Sequence, residues 1–264
     1  MPSLSDHQSN DFTKLILLGD SKAGKTGSLV SLVKAGYKLR ILDTDNLLEV
    51  LKQYVYKECP ELINNIEYRT LRDIRKTKVP TAWTNLLKML NHWKYDDVDL
   101  GPPAEWGPDC ILVIDSFSRA CDAALAFHEV MGNNKDKRMS YWDAQVDAEK
   151  MLADITSDGF CTNVILICHV AYLEQPDGTK KGLPQGVGSA LSPKVPQYFP
   201  SMILFTNKGG KRTLQTNSTP MIDLANPKPF AMAPSYPIET GLADFFAVLR
   251  EPPQQSKPKL IKRV

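Results

Sequence analysis

Eight residues near the start of the chain constrain it most. Gly19-Asp20-Ser21-Lys22-Ala23-Gly24-Lys25-Thr26 fits G-x-x-x-x-G-K-[ST] at every fixed position. The apolar run 14–18 precedes it, and residues 28–35, with apolar side chains at helical spacing, follow it. A strand feeding a loop that opens a helix converges backbone N–H groups on one point and turns the positive helix end toward it, which suits a chain of phosphates. Residues 19–26 and the following Gly27 are therefore expected to cradle a nucleotide. In that cradle Lys25 would bridge the β- and γ-phosphates and the Thr26 hydroxyl would bind Mg²⁺. Residues 38–43 read as a second strand, so the segment is a βαβ unit, and that unit implies a parallel sheet.

Two later runs, residues 110–115 and 163–169, are apolar almost throughout, the pattern of strands buried on both faces. Residue 66–69 is a further strand candidate, and helical spacing predicts helices over 47–58, 81–94 and about 140–157. Strands at 201–207 and 212–216 are joined by Lys208-Gly209-Gly210-Lys211, a hairpin by its Gly-Gly turn. The expectation is an α/β chain with a mainly parallel central sheet flanked by helices and a C-terminal hairpin. Its core would cover 13–250, between an unpatterned stretch 1–12 and a basic, proline-containing tail 251–264. Asp115, closing its apolar strand, is either the acid that holds a metal-bound water beside Thr26 or the N-cap of the next helix.

The 264 residues are 42% hydrophobic and 23% charged, which excludes a disordered or fibrous chain. With no apolar run near the length of a membrane span and no secretory leader pattern, a cytosolic protein without a membrane partner is expected. Five cysteines without a C-x-x-C pair suggest reduced thiols rather than a disulfide framework. The formal net charge of +2 hides segregation: residues 178–222 carry six Lys and Arg and no acid, and 252–264 carry four more. Positive charge collected in this way points to DNA, with Tyr198 and Phe199 as either core anchors, the commoner use of aromatics in a proline-flanked segment, or platforms that stack on bases. The tail would touch phosphates or the acidic tip of a partner such as a single-strand-binding protein. A guanine-specifying N-K-x-D is absent, since Asn207-Lys208 is followed by Gly209-Gly210, which leaves ATP as the expected nucleotide.

The strand ends refine the picture. Residues 41–46 read Ile-Leu-Asp-Thr-Asp-Asn, residues 111–116 Ile-Leu-Val-Ile-Asp-Ser, and residues 164–169 Val-Ile-Leu-Ile-Cys-His; residues 183–192 form a Gly-rich stretch beginning Leu-Pro-Gln-Gly. Together with the loop at 19–26, these resemble the RecA-type ATPase core, and more closely the short RecA-like ATPases of bacteriophages associated with single-strand annealing and recombination. The resemblance covers about residues 13–250. It implies a Mg²⁺-dependent, DNA-stimulated ATPase that works as a homo-oligomer, ring or filament. Asp45, or its neighbour Asp43, would activate water, where RecA itself has a glutamate; His169 would sense the γ-phosphate; and the segment around Gln185 would contact single-stranded DNA together with Lys180, Lys181 and Lys194. Such enzymes draw a cation from the neighbouring subunit, for which Lys208, Lys211 and Arg212 are the candidates. A nucleotide-switch regulator or assembly ATPase that never handles DNA is the alternative.

Overall fold

The computed structural model describes residues 11–73, 79–132 and 136–252. The expected stretch 1–12 and the tail 251–264 therefore lie almost wholly outside the described residues.

β1 (Lys14–Gly19) runs into the loop, after which α1 (Lys25–Ser28) and α2 (Val30–Lys34) form a helix with a break at Leu29. β2 (Lys38–Asp43), α3 (Glu49–Glu58) and β3 (Ile66–Thr70) follow. Next come α4 (Ala82–Asn91) and a small hairpin of β4 (Trp93–Tyr95) and β5 (Val98–Gly101). β6 (Gly107–Asp115), α5 (Phe117–Met131), α6 (Lys137–Thr156) and β7 (Thr162–Cys168) complete the middle of the chain. A second small hairpin, β8 (Val170–Glu174) with β9 (Lys180–Pro184), leads to α7 (Gly188–Leu191). β10 (Ser201–Lys208), β11 (Lys211–Gln215), β12 (Ser235–Pro237) and α8 (Gly241–Arg250) end the described chain.

Eight strands form one sheet in the order β12-β11-β10-β1-β7-β6-β2-β3. The six from β10 to β3 are parallel, and β11 and β12 add an antiparallel edge. This is the α/β, mainly parallel fold expected from the sequence. Strand alternation sends Leu15 and Leu17 into the core shared with α2, α3 and α8, and Ile16 and Leu18 into the core shared with α4, α5 and α6. With both faces covered, the central strands carry unbroken apolar runs at 15–18, 111–114 and 164–167. From β1 the chain leaves over one face to β2, whereas from β6 it crosses the other face to β7, which lies between β1 and β6. A crevice opens at the carboxyl ends of the strands where the connections diverge in this way. Gly19, Asp43, Asp115 and Cys168 all end strands there.

The helix expected over 81–94 stops at Asn91. His92 is extended, and a turn through Asp96, at φ 47°, makes 93–101 a hairpin instead. Trp93 is fully buried all the same, so its place in the apolar pattern reflects the core and not a continuing helix. The Gly209-Gly210 turn, with φ of 58° and 85°, joins β10 to β11 as expected, because a two-residue hairpin turn of this hand needs positive φ at both positions.

Candidate nucleotide site

The loop from Gly19 to Lys25 bends through two residues of positive φ, Lys22 at 65° and Gly24 at 101°. At Gly24 a side chain would also meet Ile238, whose Cδ1 lies 2.5 Å from where a Cβ would be, so glycine is required twice over. Lys25 lies along its own loop and donates to the carbonyls of Gly19 at 2.6 Å and Asp20 at 2.9 Å. Burial pulls its ammonium below the usual lysine range, against the opposing charge of Asp115. An anion placed in the loop would supply the charge that these neutral carbonyls lack.

Thr26 donates its hydroxyl to Asp115 Oδ2 at 2.7 Å, which joins the loop helix to the end of β6 across the intervening β7. Asp115 is buried, and burial first, with the nearby charges of Asp45 and Asp43, raises its carboxyl to about 6 although the Thr26 bond opposes the shift. A buried acid held up in this way, beside a hydroxyl, fits a divalent cation that would relieve it. Among the described residues no three His, Cys, Asp or Glu side chains converge as a metal cage. The fit is thus of the kind in which a hydroxyl, a carboxylate, substrate oxygens and water share a magnesium ion. The N-cap of α5 is Ser116, whose hydroxyl accepts from Arg119 N–H at 3.4 Å, so the capping reading of Asp115 is corrected: the acid is one residue too early and is turned to Thr26.

The two acids after β2 part company. Asp43 is buried, accepts from the backbone of Asn46 at 2.6 Å and from Thr70 at 3.2 Å, and burial raises its carboxyl. Asp45 lines the cavity, 3.8 Å from His169 Nε2 and 3.5 Å from Arg119 Nε. Burial would raise it too, but the neighbouring His169 and Ser116 side chains and the charge of Arg119 outweigh that and hold it below the usual carboxylate range. Of the three acids gathered here, Asp45 is the one whose carboxyl is held low while it lines the cavity.

The cavity has a volume of about 520 Å³. Lys25, Thr26, Asp115, Asp45 and His169 line it, together with Val50 and Tyr54 of α3 and with Arg212, Ile238 and Glu239. No family model and no curated protein matches the sequence. Solved structures do. The RadB recombinase is 16% identical over 87% of this chain and 89% of its own, with a TM-score of 0.47. The ATP synthase subunit NeqB from Nanoarcheaum equitans is 9% identical, covers 74% of this chain and 46% of its own, and scores 0.42. The ATPase EscN from the enteropathogenic E. coli type III secretion system is 11% identical over 74% and 42%, also at 0.42.

Arg212 stands against its own chain's loop, with its Cδ 3.1 Å from the Cβ position at Gly24. Lys208 and Lys211 face each other across the turn, exposed, and do not line the cavity. Lys180 and Lys181 lie on β9, where Lys181 pairs with Asp223 at 2.5 Å; Lys194 pairs with Glu149 at 2.8 Å. The acid-free stretch thus draws partners from just beyond its end and from α6. Gln185 gives its backbone N–H to His169 C=O at 2.9 Å. The Gly-rich stretch 183–192 is a strand end and a short helix, with Val187 and Leu191 buried. The stacking suggestion for Tyr198 and Phe199 is corrected: Phe199 is 5% exposed in the core, and Tyr198 packs beside it with its hydroxyl on Glu149 at 3.0 Å. Sequence reasoning missed Arg119 and Ser118; their one signal was the Ser-Phe-Ser-Arg segment directly after Asp115.

Proposed function

We propose that the chain is a Mg²⁺-dependent ATPase of the RecA-like kind that binds single-stranded DNA, is stimulated by it, and serves phage homologous recombination by strand annealing, as a homo-oligomer. The observation that carries the ATPase reading is the convergence on one cavity of Lys25, the Thr26–Asp115 pair, ionised Asp45 and His169. In this reading Lys25 and the amides of 20–26 hold the phosphates, Asp45 orients the attacking water, and His169, already in contact with Asp45, senses the terminal phosphate. Magnesium held by Thr26 and Asp115 would neutralise phosphate charge when bound. Arg212, on the chain's own cavity wall, supplies the further cation in cis; Lys208 and Lys211 remain the candidates for reaching a neighbouring subunit.

DNA enters the proposal because the segment that carries Lys180 and Gln185 starts directly behind His169. ATP hydrolysis measured with and without single-stranded oligonucleotide tests it. Stimulation supports the recombination reading, hydrolysis indifferent to DNA supports a nucleotide switch, and no nucleotide binding overturns both.

A further inference from the structure

His169 and Gln185 are the next pair in line after Val170 and Pro184 in the β8–β9 ladder. In an antiparallel ladder a hydrogen-bonded pair exchanges two bonds. Here Gln185 N–H donates directly to His169 C=O at 2.9 Å. The return bond is split by a side chain: the Ser118 hydroxyl accepts from His169 N–H at 3.1 Å and donates to Gln185 C=O at 3.0 Å. Ser118 is 3% exposed and sits in the first turn of α5, three positions after Asp115.

We propose that Ser118 is a positioning residue, a hydroxyl wedge in the ladder that couples the nucleotide cavity to the segment 185–192. Two arrangements are available to the same backbone groups: bridged through the hydroxyl, or closed by a direct bond from His169 N–H to Gln185 C=O. Both satisfy the N–H and C=O of the pair, but the direct bond takes both partners from the buried Ser118 hydroxyl, so the choice between them turns on where the first turn of α5 carries that hydroxyl relative to β8. Two of the cavity's lining residues bear on that choice. Asp115 precedes α5 with one residue between, and the His169 side chain lines the cavity while its backbone holds the hydroxyl. On the far side, the segment is tied to itself and to α6. Gly186 N–H donates to Ser192 Oγ at 3.1 Å, Gln145 Nε2 donates to Val187 C=O at 3.1 Å, and Val187 and Leu191 are buried.

This inference rests on the nucleotide reading of the cavity and not on DNA. Amide hydrogen exchange at 185–192, with and without a non-hydrolysable ATP analogue and Mg²⁺, tests it. In the unaltered protein the analogue changes exchange in this segment by about fivefold or more. Ser118→Ala lets the direct bond form, so the change falls below about twofold while affinity for the analogue stays within about threefold. Ser118→Thr, which keeps the hydroxyl, restores the response; a packing defect alone would not discriminate between them in this way. The proposal is overturned if Ser118→Ala responds like the unaltered protein, or if the analogue binds the unaltered protein without altering the segment. If no analogue binds at all, the nucleotide reading falls and takes this inference with it.

Discussion

Asp43, Asp45 and Asp115 crowd one corner, and their surroundings decide what each can do. Asp45→Asn should lower hydrolysis by about 10²- to 10⁴-fold, the range for loss of a positioned base, with nucleotide affinity little changed. Asp43→Asn keeps an oxygen for Asn46 N–H and should leave hydrolysis within about threefold; steady-state rates of the two variants check the assignment. Their spacing alone left the two acids open, because adjacent alternate positions at a strand end look alike until the turn after β2 is known. A second titrating group sits at the opposite end of the sheet. Lys14 donates to the carbonyls of Phe160 and Thr162, yet burial brings its ammonium down to about 7. Below that value folded and unfolded chains are both protonated, and the folded state carries the whole cost of the buried charge. As pH rises above about 7 the folded state sheds the proton while the unfolded chain keeps it up to its ordinary value, so the cost fades. Melting temperatures of Lys14→Met and the unaltered protein should therefore converge from pH 6.5 to 9.5, the variant losing its relative advantage.

Elements explain why some expectations held and others failed. The strands ending at Gly19 and Asp115 were legible because burial on both faces leaves apolar runs that little else produces, whereas β2, which keeps Lys38 and Arg40, was legible from its place after the loop helix. β8 and β9 were not, since residues 170–184 alternate weakly and pair only with each other, outside the main sheet. Phe199 stayed open for a related reason: an aromatic in a proline-flanked segment is more often an anchor than a platform, and only the fold decides. Phe199→Ala should cost about 3–5 kcal/mol of stability, measured by denaturant unfolding, as a core truncation does. The β10–β11 hairpin holds its best surprise in Arg212, turned back to Gly24 of the same chain. Arg212→Ala should thus lower hydrolysis equally at all protein concentrations. Mixing it with Lys25→Ala should restore nothing; recovery in the mixture would return Arg212 to the neighbour.

Across the whole molecule, the near-neutral total divides into unlike regions, but folding partly re-mixes what the sequence had separated. Lys181 and Lys194 each acquire an acid from outside the basic stretch. Among the described residues Lys180 has no such ion pair. If single-stranded DNA lies along this side, Lys180→Ala should flatten the slope of log K against log salt by about 0.7, whereas Lys181→Ala and Lys194→Ala should hardly change it. A titration in which all three count alike would show that the ion pairs give way to phosphates. This redistribution was invisible in the sequence, because partners such as Glu149 and Asp223 are assigned by topology and not by nearness along the chain.

The pairing of β1 sets an order of events as well as a shape. The strand that leads into the phosphate loop is flanked by β7, at residues 164–168, and by β10, at residues 201–205. On a ribosome the first strand would therefore emerge with neither neighbour and wait for most of the polypeptide to follow. Contacts of such long sequence separation form slowly. The loop that β1 carries is flanked on both sides only after β10 has been made, so whatever ligand it holds can support the growing chain only from that point.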